Sequence, residues 1–138
     1  MCLWTEQVKP LIAEEPIIAY KLLIHTIDNK FISPYQEYDY TKYVSSNEII
    51  KVAIPRAIKP GVSEALEYLM GLRKVYEGIH LFTKKDDAFF LAKCFRAGVI
   101  FKCEIPAGSR YFMGSNKTEI CTNQFKFING LYEFNKIV

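Results

Sequence analysis

The run Gly78-Ile79-His80-Leu81-Phe82-Thr83-Lys84-Lys85-Asp86-Asp87-Ala88 constrains this chain more than any other. Its apolar residues alternate up to Phe82. Beyond it, Ala88, Leu91, Ala92 and Phe95 stand at i, i+3, i+4 and i+7. A period of two gives way to a period of about 3.6 within a few residues, so a strand over 77–82 has to feed straight into a helix. Gly78 leaves room for a close approach by another backbone or by a ligand. His80 lies between Ile79 and Leu81 and therefore points away from their face. Thr83 is placed to cap the helix, with Asp86 as the partner in a capping box. Gly98 closes it.

The flanking segments read mostly as strands. In 17–27, Ile18, Tyr20, Leu22 and Ile24 share one face, and Ala19, Lys21, Leu23 and His25 the other. Asp28-Asn29 suits a turn, and a second apolar run over 48–54 ends at Pro55. Residues 1–16 read as an irregular lead-in. After Pro60-Gly61, Ser63 is a candidate cap for an earlier helix with Val62, Leu66, Leu69 and Met70 at helical spacing. Val99, Phe101, Cys103 and Ile105 alternate with Ile100, Lys102 and Glu104, and a type I turn is expected over 105–108. Asn129-Gly130 is the favoured two-residue hairpin loop, pairing Phe127 with Tyr132 and Lys126 with Glu133. The expected fold class is α+β: a mainly antiparallel sheet, two helices in mid-chain and a C-terminal β-hairpin, in a single domain over 1–138.

Composition narrows the function classes. The chain has 138 residues, half of them hydrophobic, and a formal net charge of +3. Such a chain can bury a core without staples. The basic residues form no run, so nucleic acid is not the expected partner. The longest apolar stretch, 17–27, is interrupted by Lys21 and His25 and is too short to span a membrane. No secretory leader is apparent, and Cys2, Cys94, Cys103 and Cys121 lack C-x-x-C spacing. A cytoplasmic protein with free thiols is expected, with Cys94, Cys103 and Cys121 in the core. With two histidines and no ligand spacing, no metal site is expected.

Several residues could carry chemistry. A helix start at Thr83, with Lys84 and Lys85 beside it, suits a phosphate or carboxylate. Lys21 and His25 on the first strand could join His80 against a substrate, although such residues on a strand's outer face are more often solvated. Tyr35 and Tyr38, in a patch with Ser33, Tyr40 and Tyr43, could stack on a flat ring; the alternative is burial or a protein-docking surface. Glu104 is a candidate base on a late strand, with Lys102 nearby favouring a surface role. Glu119 is a second strand carboxylate. Cys2 would become an N-terminal nucleophile if Met1 were removed.

Tyr20-Lys21, Ser33-Pro34-Tyr35 and Gly78–Ala88 occur in an order that resembles a group of small uncharacterised proteins of bacteria and their phages. The Gly-Ile-His-Leu-Phe strand is also similar to one in a domain of unknown function that follows pentapeptide repeats. That resemblance implies no established activity, and it leaves any cofactor unknown. A second, looser similarity is to ADP-ribosyltransferase-like folds, onto which Tyr20-Lys21, Ser33, Tyr35, His80 and Glu104 can be laid. The chain lacks the His-Gly-Thr and Ser-Thr-Ser elements of that plan. The leading expectation is a cleft that binds an anionic, nucleotide-like small molecule. The alternatives are a nucleotide-using transferase with His80 and Glu104 in catalytic roles, a phage-type or accessory protein-interaction module, and chemistry at Cys2.

Overall fold

A computed structural model of the chain describes residues 3–34 and 38–134, with Val62, Tyr68 and 129–134 described by backbone. The first half holds β1 (Leu3–Thr5), β2 (Leu11–Ile12), β3 (Ile17–His25), β4 (Phe31–Ile32), β5 (Ile50–Lys51) and β6 (Arg56–Ile58). Then come α1 (Ala65–Leu69), β7 (Arg73–Tyr76), β8 (Ile79–Phe82) and α2 (Lys85–Ala92). The chain continues through β9 (Gly98–Ile105), β10 (Arg110–Met113), β11 (Glu119–Thr122) and β12 (Gln124–Phe134). It is α+β, dominated by antiparallel sheet, with its two helices in mid-chain.

The large sheet runs β2-β10-β11-β8-β3-β9-β12-β5, with β4 added on β3; a three-stranded sheet runs β1-β7-β6. The alternation seen in the sequence fixes what each face carries. Ala19 and Leu23 of β3, Val99, Phe101, Cys103 and Ile105 of β9, and Ile79 and Leu81 of β8 share the main core. Tyr40, Val44 and Ile50 cover them. Phe101, Phe125 and Phe127 meet edge to face at 5.1–5.3 Å between ring centroids, and burying each ring is worth roughly 1.5–3 kcal/mol. On the opposite face, Ala88 and Ala92 of α2 pack against Leu22 and Ile100. Leu3, Val75 and Ala57 of the small sheet pack against Phe112 and Cys121.

The pairing of β3 with β9 is long, from Ile17↔Ile105 to Ile24↔Gly98. Its pairing with β8 is a single pair, Tyr20↔Phe82. Beyond that point the two strands part, and the sheet is split between them.

Several local expectations are corrected. Thr83 does not cap α2. Lys84 is the N-cap residue, without a side-chain cap bond, and the Thr83 hydroxyl donates to the Lys117 carbonyl at 2.8 Å. A threonine with a nearby carbonyl from the 114–118 turn is used for a tertiary tie instead of a local one. Ser63 does not cap α1 either, because Val62–Glu64 is a single 3-10 turn entered from Gly61. Helix α1 is only five residues long, and Leu66, Leu69 and Met70 are exposed instead of forming a buried stripe. The lead-in contains β1 and β2. Proline 106 opens its turn one residue later than expected: Ser109 N–H donates to the Pro106 carbonyl, and Gly108 takes φ +90°. Cys94 is exposed.

The C-terminal hairpin is replaced by one long strand. The backbone of β12 follows β9 on both sides of a register shift, with Lys126↔Glu104 and Phe127↔Cys103 before it and Tyr132↔Phe101 after it. Asn129-Gly130 falls within the shifted stretch. Lys126 stands opposite Glu104 in the backbone register, with Glu133 opposite Ile100, and Lys126 meets Glu104 at 3.2 Å. An irregularity that the β9 ladder can absorb competes with a reversal that would leave β9 without its partner.

Candidate functional site

The split between β3 and β8 opens into a cleft of about 370 Å³. Residues from both faces of the large sheet line it: Lys21 and Tyr40 from the core face, Leu22, His80 and Phe82 from the other. Ser33, Pro34 and Tyr38 come from the segment after β4, Lys74 to Tyr76 from β7, and Leu91 from α2.

Lys21 lies at the centre of the split. It stands between Ala19 and Leu23, both fully buried, so strand alternation carries its side chain into the core face. Its Nζ donates to the His80 carbonyl at 2.9 Å and lies 5.8 Å from the centre of the Tyr40 ring. The lysine thus supplies the donor that a paired strand would have given β8. Among the described residues no carboxylate pairs with Lys21. Burial lowers its pKa to about 8, partly opposed by the Cys103 and Cys121 thiols nearby. Lys74, in the same cleft, is held by Glu64 at 3.4 Å.

His80 follows the expected alternation: Ile79 and Leu81 are buried, and His80 and Phe82 are half-buried on the other side. Burial, and then the charge on Lys21, depresses the imidazole pKa to about 4. The ring is therefore neutral at pH 7. Its Nδ1 is buried without a hydrogen-bond partner among the described residues.

Gly78 lets β7 turn into β8. Glu77 and Gly78 both have positive φ, 65° and 77°. A Cβ on Gly78 would stand 2.7 Å from Cys121 Sγ and 3.1 Å from the Thr122 carbonyl. The close approach is to protein, not to a ligand. Cys121 donates in turn to the Glu77 carbonyl at 3.1 Å, and burial pushes its thiol up to about 12. Burial likewise raises the Cys103 thiol.

The structure brings Lys21, Tyr38 and His80 together at this cleft. It does not bring the other candidates there. His25 stacks on Phe31 at 4.4 Å and meets Asn29 Oδ1 at 2.6 Å, at the far end of β3. Thr83 is tied to Lys117, and Lys84 and Lys85 are exposed. Glu104 is paired with Lys126 and is not among the lining residues. Cys2 and Tyr35 lie outside the described residues. Of the remaining tyrosines, Tyr40 is core and Tyr38 is about half exposed, tilted against it with ring centres 4.7 Å apart.

Sequence reasoning missed Lys74, Tyr76 and Leu91 because strand β7 and the cleft wall of α2 are not marked by any motif. The signal for burial of Lys21 was present in its flanks, Ala19 and Leu23, which belong to a dry face. Among the described residues no group of three His, Cys, Asp or Glu is placed to hold a metal ion, and no helix is long and apolar enough to cross a membrane. No protein-family model, no curated protein and no solved structure matches the chain, so the site is read from its own geometry.

Proposed function

We propose that the split-sheet cleft binds an anionic small molecule, nucleotide-like in carrying an acidic group and a flat ring. The observation that carries this reading is Lys21, half-buried at the cleft with its ammonium on a backbone carbonyl and, among the described residues, paired with no carboxylate. Burying an unpaired ammonium costs several kcal/mol, and one charge-assisted hydrogen bond returns only about 1.5–3 kcal/mol. A fold that keeps such a group gives up stability for it, which is what binding sites do. An anion in the cleft would supply the missing counter-charge. Tyr38, Tyr76 and Phe82 offer ring faces and edges.

The transferase reading has less support, since it needs a strand carboxylate in the cleft and Glu104 is occupied by Lys126. The docking reading of the tyrosine patch is weakened by Tyr40, which is spent on the core. The kinship with small bacterial and phage proteins, resting on Gly78–Ala88, belongs to the same proposal. So does a reducing compartment, which suits the free thiols of Cys94, Cys103 and Cys121.

A thermal-shift series with ADP-ribose, NAD, cyclic nucleotides and polyphosphate tests the reading. A ligand at a hundred times its dissociation constant stabilises by about 2.7 kcal/mol, a shift of several degrees for a chain of this size. At least one compound should produce that shift in the native protein and none in Lys21→Met. A flat response to every compound sinks the proposal.

A further inference from the structure

We infer that the cleft captures a carbonyl-bearing anion covalently, as an imine on Nζ of Lys21. The inference rests on the anion-binding reading and adds a reaction to it. An amine attacks a carbonyl only through an unshared electron pair, which a carboxylate partner would keep protonated. Lys30, Lys74 and Lys126 each have such a partner, at 3.2–3.6 Å. Lys21 has the His80 carbonyl instead, an acceptor that holds a neutral amine in place as well as a charged one. The titratable groups nearest it are Cys103 from β9, Cys121 from β11, Tyr40 and His80. These four are neutral at pH 7, as burial holds both thiols and the Tyr40 hydroxyl protonated and the imidazole unprotonated; the charged residues that also line the cleft, Lys74 and Glu77, are ion-paired to Glu64 and Arg56. With its pKa lowered to about 8, about a tenth of Lys21 is free amine at pH 7, against less than about a thousandth for an exposed lysine.

The rest of the cleft suits the chemistry. Its volume of about 370 Å³ admits a small ring with an acidic substituent. His80 lines the same cleft, its Nδ1 buried and without a hydrogen-bond partner among the described residues. In the reaction Nζ bonds to the carbonyl carbon as the C=O π pair moves to oxygen. Both amine hydrogens then leave with that oxygen as water, and the C=N bond remains. Neither oxidant nor reductant is needed.

Pyridoxal phosphate, which combines an aldehyde, a ring and a phosphate, is a suitable probe. The native protein is incubated with a sub-stoichiometric amount, reduced with borohydride and mapped by peptide mass. Reduced adduct should appear at Lys21 in about a hundredfold excess over exposed Lys84, Lys85 and Lys117. Lys21→Arg, which keeps the cation, should lose it; the native map decides should that variant fail to fold. Adduct on the exposed lysines with Lys21 unlabelled overturns the inference. In that event pyridoxine phosphate, which lacks the aldehyde, separates the two claims. A melting shift with it leaves anion binding standing alone, and no shift with either compound removes both.

Discussion

At the scale of single residues, Gly78 is held by space as much as by backbone angle. It has φ +77°, which disfavours any side chain, and the Cβ position is occupied by Cys121 Sγ, Pro55 Cβ and the Thr122 carbonyl. Two of those neighbours cannot swing away, since Pro55 is a ring and Thr122 contributes backbone. Gly78→Ala should therefore lower stability by about 2–4 kcal/mol, combining left-handed strain with overpacking. Urea denaturation would show it as a lower midpoint at unchanged slope. An effect within about 0.5 kcal/mol would mean that the turn at Glu77-Gly78 is looser than described. The sequence marked Gly78 as a close-approach position, and it is one. Which group approaches was not legible, because Cys121 lies 43 positions further along the chain.

At the scale of elements, α2 forms without a side-chain cap. Its first turn carries Asp86 and Asp87, which complement the helix dipole, and its buried Ala88 and Ala92 dock on Leu22 and Ile100. Packing, not capping, fixes where the helix starts. Thr83→Val should accordingly leave helical circular dichroism unchanged while losing the 2.8 Å bond to Lys117. The expected loss is about 1 kcal/mol in chemical denaturation; a loss of helical signal would restore Thr83 as a cap. The contrast with β12 is instructive. Asn129-Gly130 has the right local chemistry for a reversal, yet the strand runs on along β9. Local turn preference is worth a fraction of what a second stretch of ladder provides.

For the whole molecule, the split sheet sets how stability depends on pH. His80 has a folded pKa near 4 against 6.5. Between those values unfolding takes up a proton, so stability rises with pH across the window and is lost on acidification, by about 3 kcal/mol. Glu119, whose pKa is raised by burial, opposes it. Lys21, near 8 against 10.5, adds a second rise from pH 8 upward. Cys103 and Cys121 keep their protons when folded, so their contribution is lost above about pH 9. Urea midpoints across pH 4–10 should climb to about pH 6.5 and decline above about 9. His80→Gln should flatten the acid limb, and Lys21→Met should remove the increment above pH 8. Curves that overlay with the native one would show that these groups are solvated.

The elements whose periodicity is strong are legible from the chain alone. Strand β3, strand β9 and the strand-to-helix passage from Ile79 to Ala92 were readable, because alternation and helical spacing are local properties of the chain. So was the facing of His80. Strands β1, β6 and β7 were not, since short strands have too few residues for a period and exist only by virtue of their partners. The site itself was decided by tertiary structure. Lys21 and His80 are 59 positions apart, and neither residue type nor spacing says that β3 and β8 share a single pair and then diverge. That divergence leaves a strand carbonyl without a ladder partner and turns a lysine on a dry face from a solvated charge into the half-buried donor of a cleft.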